Sequence, residues 1–332
     1  MRGEGRVAGV LLRAGESDEV GGGAARRGQG APGTVLRALL VVRSTAEILL
    51  PAWIIRCTFG ANGTPLCMDT NMRDRSGIEW TDSTWNPVTG CTRVSDGCDH
   101  CYAQTLAHTR LQETYRRRLP VLDTPANRSD PFAVRLWPER LTQPERWRDS
   151  RVIFVNSMSD IFHHQIPDEY VRRIFEVMLR ADWHVYQVLT KRPSRAQRFW
   201  ELNTDLFPAG YIPAHIWMGT SVENQKAAHR VRQIREVPAA IRFLSCEPLI
   251  GPVEIDLQDI HWVIVGGESG AEARPMDLEW ARGIQRDCHA AAVPFFFKQI
   301  GGRLAKSGGR LLDGQEWNEM PPMPREMQLA PI

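Results

Sequence analysis

Three of the chain's seven cysteines fall in one short stretch, GCTRVSDGCDHCYAQ at residues 90–104, as Cys91, Cys98 and Cys101 in a C-x6-C-x2-C spacing. Thiolates gathered this closely suit a metal. A structural zinc site wants four protein ligands. His100 supplies a fourth on paper, but it stands between Cys98 and Cys101, where one ion is hard to reach with every side chain at once. Cys246 or Cys288 would be a distant fourth ligand, although free cysteine is commonly a small buried apolar residue. The other reading uses the missing ligand. A four-iron, four-sulfur cluster is ordinarily held by four cysteine thiolates, so three leave one iron free to take a substrate or cofactor. Both readings stand on ligand count alone.

Polar groups recur at the ends of apolar runs further along. RVIFVNS ends in Asn156 and Ser157, with Asp160 just beyond. HVYQVLT ends in Thr190, followed by Lys191 and Arg192. HIWMGTS leads to Glu223 and Asn224, IRFLSCEP to Cys246 and Glu247, HWVIVGGE to Gly266, Gly267 and Glu268, and PFFFKQI to Lys298 and Gln299. Active sites of parallel α/β folds lie at the C-terminal ends of the strands. Charged and amide groups after nearly every run therefore predict one polar site at one mouth. Lys191, Arg192 and Asp160 are the candidates for substrate contact. Asn156, Ser157, Glu247, Gly266, Gly267 and Glu268 are the candidates for holding a cofactor. Tyr102 and Trp85 are expected to pack beside the cysteines, and TYRRRL at 114–119 to form a solvated helix face.

Those runs, with a weaker one in STWNPV, alternate with helix-like stretches. PDEYVRRIFEVMLRADW opens on Pro167 and acidic residues and repeats Tyr170, Ile174, Val177 and Met178 at helical spacing. The connection LIGPVEIDLQDI is too short for a full helix. Buried runs alternating with helices argue for a parallel sheet. The expected fold is a partial or complete TIM-like (β/α) barrel over residues 68–332, with a doubly wound open sheet as the structural alternative. Residues 1–67 differ: they are rich in Gly, Ala and Arg without a steady period and read as a disordered extension. Met68 and Met72 offer later starts.

Bulk charge excludes little. The extension carries eight Arg against five acids, and the remainder 33 basic against 34 acidic residues, so net charge gives no argument for a nucleic acid or an anionic membrane. The most apolar stretch, TVLRALLVVRSTAEILLPAWII, is interrupted by Arg37, Arg43, Glu47 and Pro51, unlike a span of roughly 20 apolar residues. No membrane partner and a cytoplasmic, reducing location are expected, with the thiols free for metal or catalysis.

The motifs IEWTDSTWNPVTGCTRVSDGCDHCYAQ, IFVNSMSDIFHHQIP, LTKRP, GTSVEN, SCEPLIGP, VIVGGESG and FFFKQIGG…GRLLDGQEWNEMP run in unbroken order over residues 76–322. In them the chain resembles the phage-type three-Cys-motif family, the phage gene-product-37/gene-product-68-like proteins, and through it the radical S-adenosylmethionine superfamily. The resemblance implies a 4Fe-4S cluster on Cys91, Cys98 and Cys101, S-adenosylmethionine as cofactor, a 5'-deoxyadenosyl radical, an electron donor, and an unknown substrate, with nucleic acid among the possibilities. Two departures stand out. The superfamily's spacing is C-x3-C-x2-C, whereas the first gap here is six. Its Gly-Gly-Glu follows the second strand, whereas Gly266-Gly267-Glu268 follows the sixth candidate strand, and Asn156, Ser157 and Asp160 stand in the corresponding place. The function from another class is a zinc-stabilised nucleic-acid-binding or phage accessory protein without turnover.

Overall fold

The structure, a computed structural model, describes residues 57–59, 65–67, 76–304 and 307–324. The chain divides into two units, Met1–Met72 and Arg73–Ile332. In the first, Cys57–Phe59 pairs antiparallel with Pro65–Cys67. The rest of the expected extension, and Met68 and Met72, lie outside the described residues.

The main sheet of the second unit holds seven strands: β1 (Ser83–Trp85), β2 (Val152–Val155), β3 (Val185–Thr190), β4 (Ile216–Ser221), β5 (Arg242–Cys246), β6 (Trp262–Gly266) and β7 (Phe295–Gln299). Each matches one of the seven apolar runs. All pair in parallel, and the spatial order is the sequence order from β1 to β7. A doubly wound sheet needs a reversal of strand order at a switch point. Here every new strand adds on the same side, which excludes that alternative. The sheet curls into a half-barrel and stays open, with β1 and β7 as its two edges.

Side chains alternate across the strands. The outer face, with Ile153, Val155, Val188, Met218, Leu244, Val263 and Phe297, packs under the helices in the larger core. α1 (Tyr102–His108) buries Ala103 and Ala107 in a separate small cluster, whereas α2 (Asp168–Arg180), α3 (Pro193–Leu202), α4 (His229–Arg235) and α5 (Leu278–Ala290) cover the outer face. α2 shows why they form. Asp168 and Glu169 favour its positive N-terminal end, and Tyr170, Val171, Ile174, Phe175, Val177 and Met178 bury one stripe. Each such side chain contributes about 1.5–3 kcal/mol, and truncating Ile174 to Ala costs about 2–5 kcal/mol. No helix joins β5 to β6, as the short connection implied. Cys246 and Cys288 are fully buried in this outer core.

The inner face carries an aromatic-rich cluster of Phe154, Trp217, Phe243, Trp262 and Phe296, capped by Trp80 from the segment before β1. Gly219 on β4 makes room for it, since a Cβ there would sit 2.4 Å from the Phe243 ring. Beyond β7, the chain returns alongside its edge. Phe297 N donates to Trp317 O at 2.9 Å and Glu319 N to Phe295 O at 3.2 Å. No helix of the described residues is long and apolar enough to cross a membrane.

Candidate functional site

Above the aromatic floor the inner face turns polar, because the strands end there. A cavity of about 430 Å³ opens at this level. Cys91, Cys98 and Cys101 line it, and so do Asn156, Ser157, Asp160, Lys191, Arg192, Glu247, Gly267, Glu268 and Lys298. Of the twelve candidates for metal, cofactor or substrate contact, all but one thus meet in one place. Gly266 is not in the lining, and its role is indirect. A Cβ on it would make ordinary contact, 3.4 Å from Lys298 Cβ and 3.6 Å from Glu247 Cδ, beneath the ion pair that those two side chains form. Gly267 is glycine for another reason than close approach of a ligand: a Cβ there would lie 1.9 Å from the Ile300 carbonyl oxygen.

The cysteine loop leaves the β1 edge and is tied to three strand ends in turn. At the β2 and β3 ends, buried Asp160 accepts from Thr190 Oγ1 at 2.8 Å, Phe162 N at 2.9 Å, Lys191 N at 3.0 Å and Arg192 Nη1 at 3.1 Å. Arg192 then reaches the loop, with Nη2 on Thr92 O at 3.1 Å and Nη1 3.6 Å from Cys91 Sγ. His163 stands on the other side of Thr92, its Nε2 2.8 Å from Thr92 Oγ1. Burial, then the Arg192 charge, pushes the His163 imidazole down to about 3, so it is neutral.

At the β4 end, buried Glu223 accepts from Ser95 Oγ at 2.8 Å, Arg230 Nη1 at 3.0 Å and Lys191 Nζ. Burial would raise its pKa, but the Lys191 and Arg230 charges outweigh burial and hold it low. Gly97 packs straight onto this carboxylate; a Cβ there would be 2.4 Å from Glu223 Cγ.

At the β6 end, Glu268 Oε2 lies 2.9 Å from His100 Nδ1 and accepts from Arg274 N and Nε, each at 2.9 Å, while Oε1 accepts from Arg274 Nη2 at 2.6 Å. Arg274 extends the contact to Asp96 O at 3.0 Å and Asp99 Oδ2 at 3.3 Å. Burial opposes ionisation, yet the Arg274 and His100 bonds bring Glu268 to about 2. Glu268 therefore braces the loop, and neither oxygen lacks a partner. His100 serves the same brace.

Burial holds two of the thiols toward their protonated form. Burial, followed by the Asp160 charge, pushes Cys91 up to about 11 despite Arg192, and burial raises Cys101. Charge on Cys98 is felt by both. Among the described residues no group of three or more His, Cys, Asp or Glu converges as ligands of a metal ion. Cys246 and Cys288 are outside the cavity, and burial holds Cys288 at about 12. Tyr102 is half-exposed, lines the cavity and donates to Ser157 O. Trp85 instead belongs to the outer core, its Nε1 donating to Arg140 O at 2.7 Å. In TYRRRL, Tyr115 is buried, and Arg118 pairs with Glu139 and lies over the Trp137 ring, so that stretch is half structural.

Asn156 differs from its neighbours. It is 2% exposed, holds a left-handed φ of 59°, and neither atom of its amide finds a hydrogen-bond partner among the described residues. Asparagine tolerates that backbone better than most residues. An unsatisfied buried amide costs about 1–3 kcal/mol, which is characteristic of a site kept for a ligand or water.

Sequence reasoning missed Arg274 and Arg230, which neutralise the two carboxylates, and His163. None sits at a strand end, where the search for polar groups was made. Lys298 was noticed as a strand end but given no role; its charge inside the apolar FFFKQ strand was the available signal.

The family described as "Protein of unknown function (DUF5131)" matches residues 75–321. No curated protein and no solved structure matches the chain. The chain belongs to the DUF5131 family.

Proposed function

We propose that this member of the DUF5131 family is an iron–sulfur enzyme of the radical S-adenosylmethionine type, on a partial TIM-like barrel. The observation that carries the reading is the company of the three thiols. Cys91, Cys98 and Cys101 line one cavity with the polar ends of the strands, above an aromatic floor. Thiols from one braced loop are the donor type that a 4Fe-4S cluster takes. They are close enough to feel one another's charge but do not converge as ligands of one ion. A zinc ion needs its ligands within about 2.0–2.3 Å, whereas a cluster receives each thiolate on a separate iron. Three thiols are the donor type in favour of the cluster, and Arg192 beside Cys91 opposes the burial that keeps that thiol protonated.

When bound, the cluster supplies the electron that cleaves S-adenosylmethionine to a 5'-deoxyadenosyl radical. The chain's own part is to bind, orient and exclude water. Asn156, with its unpaired amide, and the Ser157 and Glu247 strand ends are the groups offered to the cofactor. Gly266, Gly267 and Glu268 support them by packing and bracing. Asp160, Lys191 and Arg192 act by holding the loop and the rim against which a substrate rests. The reading implies an electron donor and a reducing, cytoplasmic setting, and the phage-type resemblance bears on its biological context. A volume of about 430 Å³ lies in the usual range of about 300–1,000 Å³ for small-ligand sites. A nucleic acid would have to present one residue at the mouth.

Anaerobic reconstitution tests the reading. The expected product binds about four irons and, once reduced, releases 5'-deoxyadenosine from S-adenosylmethionine. Cys91→Ala, Cys98→Ala or Cys101→Ala abolishes both; Cys246→Ala and Cys288→Ala retain the cluster. Stoichiometric zinc after oxygen-free purification, with no cleavage after reconstitution, would favour a zinc-stabilised nucleic-acid-binding or phage accessory protein instead.

A further inference from the structure

Asp160, Glu223, Glu247 and Glu268 line the cavity or brace its loop, and they are not held alike. Asp160, Glu223 and Glu268 each take three or more donors, one of them an arginine. Glu247 takes one. Among the described residues its carboxylate has Lys298 Nζ as its hydrogen-bond partner, and Lys298 Nζ has no other. Both side chains are 19% exposed, and both line the cavity. Glu247 directly follows β5 and Lys298 lies in β7, and the two meet across the intervening β6.

A pair so placed can exchange its mutual contact for a ligand, and the charge on the ligand is constrained. An anion that drew Lys298 away would strand Glu247, and a cation that drew Glu247 away would strand Lys298. Leaving one member of a desolvated pair uncompensated is strongly unfavourable. A ligand carrying both charges on adjacent atoms satisfies both partners at once. We propose that Glu247 and Lys298 together bind the aminocarboxylate head of a zwitterionic ligand, Glu247 taking the ammonium and Lys298 the carboxylate. The head belongs either to an amino-acid substrate or to S-adenosylmethionine. The inference rests on the preceding reading for the second source only.

The test uses the metal-free full-length chain and calorimetric titration. S-adenosylhomocysteine is compared with 5'-methylthioadenosine, the same type of nucleoside thioether without the aminocarboxylate. The first binds at least about tenfold more tightly, as the loss of charge-assisted hydrogen bonds requires. Lys298→Met and Glu247→Gln each remove most of that difference and leave 5'-methylthioadenosine unchanged. The ligand comparison on unaltered protein stands even if a variant fails to fold. If L-methionine binds with the same dependence on Lys298 and Glu247 and S-adenosylhomocysteine does not, the head is that of an amino-acid substrate. Equal affinity of the two nucleosides combined with no binding of L-methionine overturns the proposal. So does an equal loss on both nucleosides in the variants. Iron content and cofactor cleavage are read separately, so the enzyme reading can survive failure of this one.

Discussion

Two sets of groups at the cavity mouth solve different problems with the same residue types. Against the cysteine loop, acids are saturated. Glu268 is wrapped by Arg274 and His100, and Glu223 is shared by Ser95, Lys191 and Arg230. A loop crossing from the β1 edge to the β6 end is thereby fixed at three points. At neighbouring strand ends, among the described residues, Glu247 and Lys298 hold only each other, and Asn156 holds nothing with its amide. Multiply bonded acids preserve the spacing of three thiols, while singly bonded groups can change partners. Rigidity and availability are interleaved along the strand ends of one cavity.

The largest expected effect comes from breaking the saturated set. Glu223→Leu strands Arg230, whose side chain is 4% exposed, and urea denaturation should show a loss of about 3–5 kcal/mol. Glu247→Gln removes a charge but keeps an amide oxygen that can accept from Lys298, and should cost less, about 1 kcal/mol. Equal losses would erase the distinction. Next, Gly267→Ala drives a Cβ into the Ile300 carbonyl and should cost about 1–3 kcal/mol, as overpacking does. A melting curve matching the parent would show that this turn yields easily.

A subtler difference is in pH dependence. The folded pKa of Glu268 is lowered from 4.5 to about 2. Its stabilising contribution is therefore complete above pH 4.5 and is lost as pH falls toward 2. Acid titration of denaturation midpoints should show that decline, and Glu268→Gln should flatten it. The smallest effect is expected at the N-terminus. A chain starting at Met72 should melt within about 2 °C of the full chain, since residues 1–67 show no steady sequence period that would dock onto a core.

The strands were legible because each is a short apolar run ending in polar residues, and even β1, three residues long, left a trace in STWNPV. Their one-way winding was half legible: alternation implied parallel strands, but openness did not follow, since closure depends on tilt and stagger that no residue spells out. At the site, the cysteines and strand-end acids were readable from type and position. What those acids do was not. Glu268 looked like a group for a ligand, and its engagement depends on Arg274, which arrives from an irregular segment with no periodic signature. Glu223 depends on Arg230, hidden in the pattern of a helix. Pairing across distant segments is a property of the fold, and local sequence carries only one partner of each pair.

The return of the chain along β7 bears on how this protein survives in crowded solution. A sheet that does not close leaves two unpaired strand edges, and an edge is a template for pairing with another chain. β7 would be the more hazardous, because it reads Phe295, Phe296, Phe297 before its first charge. The segment around Trp317, Asn318 and Glu319 lies on that edge and occupies its backbone groups, with Trp262 Nε1 donating to Glu319 O at 2.8 Å as an anchor. Those few residues near the end of the domain act as a sheath over an aggregation-prone edge, and their loss would be felt first as precipitation rather than as lost chemistry.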